Sequence, residues 1–80
     1  MIEYSVANVS DERDKNIGSM IRMIRKASQM TQSDLAKKLS ISIQQVHKYE
    51  TGENSISALN LQDIANIFGC NIDVFYPSVY

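Results

Sequence analysis

Thr31-Gln32-Ser33-Asp34-Leu35-Ala36-Lys37-Lys38-Leu39-Ser40-Ile41-Ser42-Ile43-Gln44-Gln45-Val46-His47-Lys48-Tyr49-Glu50-Thr51-Gly52 carries the punctuation of two short helices. Thr31 stands three residues ahead of Asp34 and just before the apolar pair Leu35 and Leu39. A hydroxyl followed three residues on by an acid marks a capped helix start, and predicts a helix over 32–39. Ser40 and Ile41 leave room only for a tight turn. Ser42, three residues ahead of Gln45, repeats the capping pattern and predicts a second helix over about 43–50. Gly52 follows, a residue that accepts positive φ and commonly ends a helix. Ala36 is small where the second helix crosses the first, and Leu35, Leu39, Ile41, Val46 and Tyr49 supply a shared core.

Upstream, Ile17, Met20, Ile21 and Ile24 follow the i, i+3, i+4, i+7 spacing of one apolar helix face, predicting a helix over about 15–28. Downstream, Ser57 can cap a helix whose Leu61, Ile64, Ala65 and Phe68 repeat that spacing, with Gly69 ending it. Asn71 can cap a short fifth helix running through Phe75, and Pro77 halts it. Ile2, Tyr4 and Val6 alternate weakly, as in an arm or short edge strand. The expectation is an all-α domain of five helices over residues 15–76, with an N-terminal arm over 1–14 and a tail over 77–80.

Eighty residues make one small domain. With 44% hydrophobic and 21% charged residues, the composition is that of a globular chain and excludes a disordered or collagenous one. No apolar run approaches the roughly 18 residues of a membrane span, and the start lacks the basic and apolar regions of a signal peptide. The expected location is the cytoplasm. One cysteine, Cys70, and one histidine, His47, are too few for a disulfide or a structural zinc site. No nucleophilic triad, carboxylate pair or glycine-rich phosphate loop is present, so neither catalysis nor a cofactor is expected.

The formal net charge of −1 hides an uneven distribution. All eight Lys and Arg lie in residues 13–48 against Asp14 and Asp34, so residues 1–12, 13–48 and 49–80 carry −3, +6 and −4. A basic middle between acidic ends fits a small nucleic-acid reader with one binding face, and equally an ordinary solvated helix surface.

Two short helices joined by a tight turn have the dimensions of a helix-turn-helix, a spacing that any helical hairpin shares. The residue types are more specific. Ile21-Arg22-Met23-Ile24-Arg25-Lys26, Met30 through Leu39, Val46 through Gly52 and Ile56 through Ala65 together make the chain similar to the lambda-repressor and Cro family of DNA-binding domains over about residues 16–76. The resemblance implies a five-helix domain that docks its third helix in the major groove of double-stranded DNA. It implies that Gln32 contacts a phosphate and braces the recognition helix, and that Ser42, Ile43, Gln44 and Lys48 face DNA with Gln45 beside them. Gln44 is the best base reader, since its amide can pair with both N6 and N7 of adenine. Ile43, apolar at an exposed helix start, either contacts a thymine methyl or packs back onto the preceding helix. Lys37, Lys38 and Arg22, with Lys26, are expected phosphate partners, although a pair such as Lys37-Lys38 is also ordinary surface. Arg25 and Glu50 match an ion pair tying the first helix to the end of the third.

Ser40 departs from the pattern, occupying a turn position usually held by Gly. It must adopt positive φ or impose a different turn. His47 is assigned no chemistry, and Cys70 is read as a small core hydrophobe. The resemblance implies a transcriptional regulator, a repressor in the simplest mode, that acts as a homodimer. Phe75, Tyr76, Val79 and Tyr80, with Ile2, Tyr4 and Val6, are expected at the dimer surface. The competing class is an antitoxin-like module that binds a partner protein.

Overall fold

The computed structural model describes residues 12–76. Among them the chain forms α1 (Glu12–Ala27), α2 (Gln32–Leu39), α3 (Ile43–Thr51) and α4 (Ala58–Phe68), followed by a 3-10 turn at Ile72–Phe75. No strand occurs in this range.

Helix α1 begins at Glu12 rather than at the expected Lys15. Its first turn is polar and carries no apolar period, but Glu12 and Asp14 sit where the helix dipole favours negative charge, and Arg25 and Lys26 occupy the last turn, where it favours positive. The chain leaves α1 through Gln29 at φ 59°, and the Met30 amide returns to the Arg25 carbonyl at 3.1 Å.

Helix α2 has the predicted bounds. The Thr31 hydroxyl accepts from the Asp34 amide and the Asp34 carboxylate accepts from the Thr31 amide, both at 2.9 Å. Ser40 takes the left-handed conformation, φ 58° and ψ 42°, and donates its amide to the carbonyls of Ala36 and Lys37. A non-glycine residue thus accepts a conformation that glycine adopts more cheaply, and the tight turn is kept. Ser42 then caps α3, accepting from the Gln45 amide at 3.0 Å. The reciprocal half of that expected capping box is replaced: the Gln45 side chain donates to Asn54 Oδ1 at 3.1 Å, pinning the loop after α3. Gly52, at φ 79°, closes α3.

Ile21, Leu35, Ala36, Val46, Leu61, Ile64, Ala65 and Phe75 are buried together, with Ile17, Met20, Ile24, Leu39, Ile41, Phe68 and Cys70 packed around them. Helix α3 packs against both α1 and α2. The approach of α1 to α3 is set by Gly18, where a Cβ would collide with the carbonyl oxygens of Tyr49 and Glu50.

Two expectations are corrected. The fifth helix is a four-residue 3-10 turn, because four residues between the Asn71 cap and Tyr76 give too few i to i−4 bonds for an α-helix. Phe75 is not part of an exposed tail: it is 2% exposed, with its ring centroid 6.5 Å from that of Phe68. Burying an aromatic ring here withdraws Phe75 from any dimer surface and leaves Tyr76 and Val74 outside. Ile2, Tyr4, Val6, Val79, Tyr80 and the expected edge strand lie outside the described residues. No helix among the described residues is long and apolar enough to cross a membrane.

Candidate nucleic-acid interface

The site is built on a buried polar brace. Arg25, at the end of α1, donates through Nε to Glu50 Oε2 at 2.6 Å and through Nη2 to Glu50 Oε1 at 3.2 Å. Its Nη1 donates to the Met30 carbonyl at 2.7 Å, and Gln32 Nε2 donates to Glu50 Oε1 at 3.0 Å. Both ions are buried, Arg25 at 7% and Glu50 at 6% exposure. Among the described residues no buried side-chain polar atom lacks a partner. A buried ion pair contributes little net stability once its desolvation is counted, but it fixes geometry when every donor is satisfied. Here it holds together the end of α1, the start of α2 and the last turn of α3, and the pairing of Arg25 with Glu50 that the family resemblance implies is present. Gln32 braces α3 through Glu50.

That brace sets the exposed face of α3. Ile43, Gln44, His47 and Lys48 lie on it, and with Gln32 and Glu53 they line one shallow hollow. Gln32, Ile43 and His47 also border a second hollow, walled on the α1 side by Arg22, Arg25 and Lys26. Gln32 and Ile43 therefore border both hollows, Gln44 and Lys48 only the first, and Arg22 only the second. Ser42 is exposed, but its hydroxyl is committed to capping. Gln45 is half-buried and bound to Asn54, away from the hollow. Lys37 and Lys38 line a separate depression with Ser28, Gln29, Met30 and Asp34. Hydrogen bonding to Thr31, backbone first and side chain second, pulls the exposed Asp34 carboxyl below its ordinary range, and Lys37 and Lys38 add to the effect.

Sequence reasoning gave His47 and Glu53 no place at the site. His47 follows Ile43 by four residues, a same-face spacing that marks the position without its chemistry. Glu53 lies past the helix end, where the turn at Gly52 and the bond from its own amide to the Lys48 carbonyl, 2.9 Å, hold it. Among the described residues no cluster of His, Cys, Asp and Glu has the arrangement of a metal site.

Two capped helices held across a tight turn by a buried brace, the second presenting amide and basic side chains, define a helix-turn-helix domain. The helix-turn-helix family model matches residues 21–75, and the chain belongs to the Cro/C1-type helix-turn-helix family. It is 41% identical over 66 residues, 82% of its length, to a protein of Rhodospirillum rubrum described as an uncharacterized transcriptional regulator in the ATPase CF(0) region. The chain spans 61% of the length of that relative and 45% of a Sinorhizobium medicae protein described as an uncharacterized HTH-type transcriptional regulator. Among solved structures, the DNA-binding domain of BldD from S. venezulae superposes with a TM-score of 0.75 at 22% identity, covering 84% of this chain and all of that one. Hydroxypropylphosphonic acid epoxidase from S. wedmorenis superposes at 0.75 and 23% identity, covering 80% of this chain and 34% of that one. At such identities the likeness is one of fold.

Proposed function

We propose that the chain is a sequence-specific DNA-binding transcriptional regulator that inserts α3 into the major groove. The observation that carries this reading is the exposed face of α3, where Gln44 and Lys48 stand beside Gln32 while Arg22 and Lys26 flank the adjoining hollow. Gln44 supplies a donor and an acceptor one turn from a cation, the combination suited to an adenine edge followed by guanine or phosphate. Gln32, Arg22 and Lys26, which border the same hollow, are the phosphate partners in this reading. The descriptions of the relatives as transcriptional regulators support the same reading. One such domain reads few base pairs. A homodimer spanning two half-sites about 34 Å apart supplies the rest, and occupation of a promoter by that dimer represses it. The reading keeps the expected cytoplasmic location.

Fluorescence anisotropy of a labelled duplex at increasing salt tests the electrostatic part. Log affinity falls linearly with log salt, with a slope of about −0.9 for each phosphate neutralised. Lys48→Ala weakens binding, and reduces that slope by about 1 if Lys48 contacts a phosphate rather than a base. Affinity independent of salt would contradict the reading.

A further inference from the structure

Ile43 is 47% exposed at the first position of α3. Of the large hydrophobic side chains left exposed among the described residues, Met23, Leu59, Val74 and Tyr76 lie away from the α3 hollow, and Ile43 lies in it. Its neighbours there are Gln32, Gln44, His47, Lys48 and Glu53, all polar or charged. A branched aliphatic chain kept half in water amid hydrogen-bonding side chains gains nothing from the aqueous state. The residue does not pack fully back onto α2, which leaves its outer half available to a ligand. The surrounding cations Arg22, Lys26 and Lys48 favour a polyanion as that ligand.

On the major-groove edge of unmodified DNA the C5 methyl of thymine is the one methyl group; cytosine offers only a C–H at that position, and the remaining recognition atoms are donors and acceptors. We infer that Ile43 is a specificity-determining residue that receives a thymine methyl. Gln44, the next residue on the same exposed face, reads a base pair beside it. This assignment rests on the proposed docking of α3 in the major groove and adds which chemical group the start of the helix selects. It also gives the half-site a definite content, a thymine next to the base pair read by the Gln44 amide.

The test removes only the methyl. A bound duplex is first obtained by selection from a randomised library. Each thymine is then replaced in turn by deoxyuridine, which lacks the C5 methyl and keeps all base-pairing atoms. Affinities are measured for the wild type and for Ile43→Ala, whose folding is checked by its thermal transition. One position is expected at which deoxyuridine weakens the wild type about three- to tenfold, the effect of one buried methyl, and leaves Ile43→Ala unchanged. Other thymines affect both proteins equally. A selected motif with no thymine coupled to Ile43 overturns this inference alone, whereas failure to select any motif removes the DNA-reading and this inference together.

Discussion

Glu50 is the residue on which the helix arrangement turns, because one carboxylate accepts from Arg25 twice and from Gln32 once. Glu50→Ala leaves the Arg25 guanidinium buried with one of its three bonds, that to the Met30 carbonyl, and is expected to cost about 3–5 kcal/mol in urea denaturation. Gly18 is second in consequence. Gly18→Ala sets a methyl against the carbonyls of Tyr49 and Glu50, so α1 must move off α3. The same denaturation experiment is expected to show a loss of about 1–3 kcal/mol, although alanine is the better helix former. Ser40 runs the other way: at φ 58°, Ser40→Gly relieves a left-handed strain of about 1 kcal/mol and raises stability. These residues differ in how far they can be read from sequence. Ser40 is conspicuous as a non-glycine in a tight turn, which left either a positive φ or a different turn open, and the structure takes the first. The Arg25 to Glu50 pairing followed from family resemblance, since a separation of 25 residues carries no local signal. Gly18 was silent, because the need for a missing Cβ depends on which helix crosses there.

At the scale of the element, the bounds of α2 were legible because both ends are written locally, by the Thr31 and Asp34 pair and by Ser40. The start of α1 was not, since its first turn faces solvent and leaves the apolar periodicity blank. The Gln45 amide was misplaced because its partner, Asn54, lies beyond the helix it helps to cap. The capping box of α2 makes a pH-dependent contribution whose sign is fixed. Hydrogen bonds to Thr31 depress the Asp34 carboxyl in the folded state. The stabilisation is therefore complete above the unfolded carboxyl's value, near 4, and is lost as pH falls through the lower folded value. Thermal transitions recorded from pH 6 down to pH 2.5 are expected to show wild type more stable than Asp34→Asn at the upper end, with the gap narrowing below about pH 4. A gap that stays constant across that range would rule out an ionised Asp34 as the source.

For the whole molecule, net charge misleads and its distribution informs. A formal charge of −1 conceals a middle segment holding every Lys and Arg, and the fold divides that segment. Arg22, Lys26 and Lys48 border the hollows beside α3, Arg25 is spent inside the brace, and Lys37 and Lys38 face a different depression. The charge count alone could not separate Lys37 and Lys38 from Arg22 and Lys26, all expected as phosphate partners, because it has no sense of direction. The exposed face of α3 is proposed to read base sequence. Selection of bound duplexes from a randomised library, run in parallel on the wild type and on a Gln44→Ala, Lys48→Ala double variant, decides whether it does. Enrichment of a palindromic motif by the wild type, lost in the double variant while its thermal transition is kept, is the expected result. The same motif enriched equally by both proteins, or none by either, would contradict it.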